Sequence, residues 1–272
     1  MRVRRPAVAG TFYPDDPEVL RATVDAHLAS GRKHVTDLGA APKAVIVPHA
    51  GYIFSGPIAG SGYAALASVA RAVTRVVLLG PAHRVAVDGL AVPSVDAFLT
   101  PLGGVAIDPE AREIALSCAD VAADDVAHAP EHSLEVQLPF LQQVFAPGFR
   151  VLPIVVGHAS PDAVAAVIDA LWGGPETLFV VSSDLSHYEP YDVARAHDRR
   201  TAQAIVDGAI DEIGPYDACG VYPVRGLLAA SARRGVDVHL VDLRSSGDTA
   251  GPPDRVVGYG AFVLTPAREE AA

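Results

Sequence analysis

Four short apolar runs constrain this chain most: Ala44 to Val47, Val76 to Leu79, Val151 to Val156 and Leu178 to Val181. They are rich in β-branched residues, and none alternates apolar with polar. A strand with one wet face has to alternate, so these runs read as strands buried on both faces of a mainly parallel sheet. Helix-patterned stretches lie among them: Pro17 to Ser30, Pro109 to Ala119, Leu134 to Phe145 and Pro161 to Trp172. Strand alternating with helix implies right-handed crossovers. The expected fold is an α/β three-layer sandwich around a mainly parallel or mixed sheet. Later, Val238 to Leu243 and Val256 to Leu264 read as two strands joined by the polar loop Arg244 to Asp254.

A chain of 272 residues suits one large domain or two small ones. There is no internal repeat, and the loosest stretch, Gly31 to Pro42, is too short to separate domains. One domain over residues 1–272 is therefore expected, with Ala267 to Ala272 a frayed tail. The net charge of −11 opposes binding to nucleic acid or to an anionic membrane surface. No apolar run is long enough to span a bilayer. Arg2, Arg4 and Arg5 are followed by Pro6, Pro14, Asp15 and Asp16 too soon for a signal-peptide core. Two cysteines, Cys118 and Cys219, make no disulfide framework, so a reducing, cytoplasmic setting is expected.

The ten histidines are not scattered. His49, His83, His158 and His187 each fall just past an apolar strand, and Asp184 stands three residues before His187. In an open parallel sheet the carboxyl ends of the strands share one edge, where ligands bind. Imidazole is the commonest neutral metal ligand and titrates near neutrality. Several on one edge point to a metal site with a proton-handling group. His158 is the weakest of the four, because its context also reads as a turn into a helix cap. His27, His34, His197 and His239 show no partner pattern and read as surface residues.

Cys219 precedes a helical pattern running from Val224 to Ala232. A helix N-terminus favours thiolate, the form that binds metal. Its other reading is a small buried hydrophobe, the reading that Cys118 takes within its apolar helix. His132 and Glu135 sit three apart at a helix start, a spacing that shares one face. A carboxylate there can orient an imidazole, or it can simply favour the helix dipole.

Six blocks, in order, carry a resemblance. They are Pro6 to Pro14; Pro48, His49, Gly51 and Tyr52 with Ser55 and Gly56; Leu79 to His83; Glu131 to Pro139; Ser182 to His187; and Asp217 to Gly220. Together with Gly258 to Phe262 they resemble the Memo family over nearly the whole chain. The resemblance implies a fold similar to class III extradiol ring-cleaving dioxygenases, which hold non-haem Fe(II) on two His and a carboxylate. Carried over, it places metal on His49, His83 and Cys219, with His187 as acid/base and Asp184 beside it. His132, Glu135 and Tyr52 are expected next to the metal or the substrate. The resemblance also implies partnership with an AMMECR1-type protein and a radical-SAM protein in bacteria. In animals it implies phosphotyrosine-peptide binding with copper or iron.

Sulfur in place of the family dioxygenases' carboxylate makes a softer set. It suits iron or copper, with zinc also accommodated. The expected function is a metal-dependent oxidoreductase whose cleft takes a small molecule or peptide. The alternatives are a non-catalytic peptide- or partner-binding module and a zinc-dependent hydrolase.

Overall fold

The computed structural model describes residues 2–267. In chain order its elements are β1 (Val3–Arg4), α1 (Pro17–Gly31), β2 (Ala44–Val47), α2 (Tyr52–Ala64), β3 (Arg75–Pro81), β4 (Leu90–Val92), β5 (Ala97–Thr100) and β6 (Gly103–Ile107). There follow α3 (Pro109–Leu116), β7 (Val121–Ala123), α4 (Asp125–His128), α5 (Leu138–Val144), β8 (Arg150–Val156), α6 (Pro161–Ala170), β9 (Thr177–Ser182) and β10 (His187–Glu189). The last are α7 (Tyr191–Val206), α8 (Val221–Ala232), β11 (Val236–Ser245) and β12 (Val256–Pro266).

The main path of the sheet runs β1-β5-β6-β8-β3-β9-β2-β12-β10. Strands β8, β3, β9 and β2 are mutually parallel, and β12 returns antiparallel on β2 with β11 as its hairpin partner. The sheet is thus mixed about a parallel centre. Its central strands carry apolar side chains to both faces, which is why they do not alternate. Val45 and Val47 of β2 enter the core under α1, α2 and α5, whereas Ala44 and Ile46 enter the opposite core under α6 and α8. The same split divides Val76 and Leu78 from Val77 and Leu79 in β3. At roughly 1.5 to 3 kcal/mol per buried aliphatic side chain, this two-sided burial is the main favourable term in the fold.

A proline in a central strand removes a ladder donor. Pro153 of β8 is tolerated because β6 pairs only with Arg150 and Val151 on that side, and β4 only with Val155 and Val156. Pro153 falls in the gap between them.

The helices begin as their sequences dictate. Asp16, Asp108 and Ser160 cap α1, α3 and α6 through their side-chain oxygens, each with proline in the first turn. Leu134 to Phe145 is not one helix: a 3-10 turn over Glu135–Gln137 leads into α5. The expected tail divides. Ala267 donates its N–H to the Gly235 carbonyl, and the remainder, 268–272, lies outside the described residues.

Candidate metal centre

Strands β3, β9 and β2 are consecutive neighbours running the same way, so the segments leaving their carboxyl ends meet. His49 follows β2, His83 follows β3, and Asp184 and His187 follow β9. The turn 131–137 crosses the same edge and brings His132. One ligand atom each from His49, His83 and His132 lies within 4.8 Å of the other two, a group that could hold a metal ion. The rings confirm the crowding: His83 stacks on His132 at 4.7 Å, and His49 stands edge-on to His83 at 5.1 Å.

The donor side of His49 follows from its partners. The Ser182 hydroxyl has one hydrogen and gives it to the Ser133 carbonyl at 2.7 Å. Gln137 Nε2 donates to Ser182 Oγ at 2.8 Å and to the Pro48 carbonyl at 2.9 Å. Ser182 Oγ therefore accepts a hydrogen bond from His49 Nδ1–H, 2.8 Å away, and Nε2 is left with its lone pair. Tyr63 completes the relay by donating to Gln137 Oε1. His49 is 2% exposed, and burial together with the neighbouring imidazoles of His83 and His132 holds its pKa well below the usual range. Neutral imidazole is the metal-binding form.

Glu131 does the same for His83. Its buried carboxylate accepts from His83 Nδ1 at 3.0 Å and from the backbone N–H groups of His83, His132 and Ser133. These bonds overcome the effect of burial and hold the carboxyl far below its ordinary range. An ionised carboxylate only accepts, so His83 carries a proton on Nδ1, and in the neutral ring the lone pair falls on Nε2. His132 Nδ1 is 3.3 Å from Glu131 Oε1 but is buried without a hydrogen bond.

Cys219 arrives against His49 from the far end of the chain, outside the group of three imidazoles. Its Sγ is 3.2 Å from His49 Nε2, and the Asp184 N–H points at it from 3.2 Å. Gly220 is required beside it, because a Cβ there would lie 2.6 Å from Ser183 Cβ. The expected thiolate bias of a helix start is outweighed. Desolvation and the Asp184 carboxylate push the thiol far above its ordinary pKa in the metal-free protein. Asp184 accepts from the His49 N–H at 2.7 Å, and burial raises its own pKa to about 6.

His187 donates Nδ1–H to the Leu185 carbonyl at 2.8 Å, so in the neutral ring the lone pair falls on Nε2. Tyr52 is buried and donates its hydroxyl to the Val136 carbonyl. Glu135 turns from His132 to the N-terminal segment. It accepts from the Arg4 guanidinium, the Ala7 and Val8 N–H groups and the Tyr13 hydroxyl. The carboxylate against the imidazoles is its neighbour Glu131. The segment that Glu135 anchors carries Phe12, whose ring lies 4.8 Å from His132. His158 leaves β8, one strand beyond β3, and packs on Tyr222. Cys118 is half-buried in the apolar layer around α3 and α6.

Glu131, Gln137 and Ser182 escape sequence reasoning as site residues, since nothing in a serine or glutamine spacing says which ring it will face. His197, expected at the surface from its sequence context, lies between two carboxylates.

A parallel-centred α/β sandwich with three clustered imidazoles, one buried, on the carboxyl edge of its sheet defines a class of α/β proteins with a candidate metal centre. Within it the chain belongs to the Memo family, whose model, described as Memo-like protein, matches residues 4–263. It is 38% identical to a MEMO1 family protein of Methanopyrus kandleri over 96% of this chain and 98% of the relative. A MEMO1 family protein of Aquifex aeolicus is 39% identical over 97% of this chain and the relative's full length. One of Saccharolobus solfataricus is 32% identical over 94% and 97%. No helix among the described residues is long and apolar enough to cross a membrane.

Proposed function

We propose that this chain is a metal-dependent oxidoreductase of the cytoplasm, built on His49, His83, His132 and Cys219. The observation that carries the reading is the approach of Cys219 Sγ to His49 Nε2, 3.2 Å, on the edge where three imidazoles already gather. Around a tetrahedral ion, a sulfur and a nitrogen ligand stand roughly 3.5 Å apart, given bond lengths of about 2.3 and 2.0 Å. The metal-free spacing is within a few tenths of an ångström of that. Three imidazoles and a thiol are a borderline-soft set that suits iron or copper, and zinc as the competitor.

A bound redox metal would supply electron transfer and Lewis acidity at this edge. The protein's own groups do the rest. Ser182 and Glu131 hold two imidazoles with Nε2 inward. Asp184 holds the His49 backbone. His187, with a bare Nε2 at the mouth, takes or gives the proton. Phe12 packs its ring against His132. The ligand proposed for the cleft is a small molecule or peptide, and the family resemblance adds AMMECR1-type and radical-SAM proteins as partners.

Elemental analysis of protein purified without added metal tests the reading. Iron or copper near one equivalent in the wild type, lost in His49→Ala and Cys219→Ser while both stay folded, is the expected result. Zinc alone would shift the assignment to hydrolysis. A folded protein that takes up no metal would leave a non-catalytic peptide- or partner-binding module.

A further inference from the structure

We propose that His197 is a positioning residue whose imidazole, held between Glu189 and Asp217, ties the strand that aims His187 to the loop that presents Cys219. The inference rests on the reading that His187 and Cys219 serve one centre.

Nδ1 of His197 lies 3.1 and 3.2 Å from the two carboxylate oxygens of Glu189, and Nε2 lies 2.5 Å from Asp217 Oδ1. Carboxylates accept only, so each ring nitrogen has to bring a proton, and both contacts are satisfied only by the imidazolium. Burial alone would lower the pKa of this ring; hydrogen bonding to Asp217 and Glu189 outweighs that and raises it. The charged groups that act on it are Glu189 of β10, Asp217 of the loop and Asp198 of its own helix.

Each end of the link holds something that needs holding. On one side, β10 pairs with β12 through His187 opposite Val257 and Glu189 opposite Val256, with the register broken between them. Tyr188 sits in that break at φ +62°, a left-handed conformation that is a genuine outlier for a bulky residue. Such strain persists only where the surroundings over-determine it, and a bulge of this kind re-aims its neighbours. Tyr188 is 61% exposed; its ring contacts the Arg255 guanidinium and stands edge-on to the His187 ring at 5.7 Å, and it makes no hydrogen bond among the described residues that would hold the bulge. Glu189, gripped by His197, pins the far side of the bulge from which His187 projects.

On the other side, Asp217 closes a turn by accepting the Gly214 N–H on its second oxygen, and Cys219 follows two residues later. The Cys219 N–H then bonds to the Asp184 carbonyl. Helix α7 is thus the common post to which strand and loop are tied.

The test is thiol chemistry on metal-stripped protein in a Cys118→Ser background. Alkylation of Cys219 by iodoacetamide is followed by mass spectrometry from pH 6 to pH 9, with and without His197→Gln. Taking the ratio of the two rates at each pH cancels the titration of the thiol itself. The expected ratio is about threefold or more in favour of the variant at pH 6, falling toward one as the imidazolium of the reference protein loses its proton. A ratio that does not change with pH, whatever its value, overturns the proposal. Should His197→Gln not fold, Glu189→Gln replaces it, with the same decline expected at smaller amplitude and a flat profile again overturning. A protein that binds no metal would remove the oxidoreductase reading and leave this measurement intact.

Discussion

Cys219 Sγ stands 3.2 Å from His49 Nε2 across 170 residues of chain. Without a metal, the pair reads as a protonated thiol donating to a bare imidazole nitrogen. Metal binding has to displace that proton, so uptake through sulfur releases acid. Cys219→Ser keeps the volume and removes the soft donor. Affinity for Cu(I) is expected to fall at least tenfold, more than for Zn(II), while the thermal midpoint of the metal-free protein moves by a few degrees at most. Competitive chelator titration measures both affinities, and equal losses for the two ions would place sulfur outside the ligand set.

Glu131 holds His83 through Nδ1 and stands outside the group of three imidazoles. Glu131→Gln offers an amide of similar shape that does not hold both the His83 ring and three backbone donors. Outer-sphere carboxylates of this kind contribute 10- to 100-fold in metal affinity, and a loss in that range is expected here. Isothermal titration with Zn(II) reports it; an unchanged affinity would show that Nε2 of His83 points inward for some other reason.

Arg4 and Glu135 form a buried ion pair, with side chains 5% and 0% exposed. Arg4 also donates to the carbonyls of His128 and Glu131. Removing one partner of such a pair strands the other, so Arg4→Ala is expected to destabilise the protein by about 3–5 kcal/mol. Urea unfolding provides the check, and a loss below about 1 kcal/mol would mean that water enters to solvate Glu135.

His128 is buried, donates Nε2–H to the Ala91 carbonyl and leaves Nδ1 without a partner. Burial lowers its pKa to about 4. The unfolded chain takes up this proton near pH 6.5 and the folded chain does not until about pH 4, so stability falls as pH drops through that window. The full effect is about 3 kcal/mol. His132 shifts in the same direction. The difference between wild type and His128→Asn isolates the one ring: the wild type should lose more stability between pH 6.5 and pH 4, and parallel curves would contradict the assignment.

The parallel centre of the sheet was legible because two-sided burial forces continuous apolar runs. Helices α2 and α7 were not. The first, Tyr52–Ala64, is buried nearly all round and shows no apolar stripe, while the second is mostly polar. Strands β4 and β7 have three residues each, too few for a period to show.

At the centre, the strand-end rule brought His49, His83, Asp184 and His187 to one edge of the sheet from order alone. It did not separate Glu131 from Glu135, four residues apart in one turn. One faces the imidazoles and the other faces Arg4, because the 3-10 geometry at Glu135–Gln137 rotates the second carboxylate away from the face that a regular helix would share with His132. What the amino-acid order alone determined is the layering and which edge gathers the histidines, since both follow from where apolar residues must hide. Which nitrogen is bare, which carboxylate orients it and which histidine is surface were decided only in three dimensions. Hydrogen bonding depends on distance and direction between groups from different segments, and no local spacing contains either.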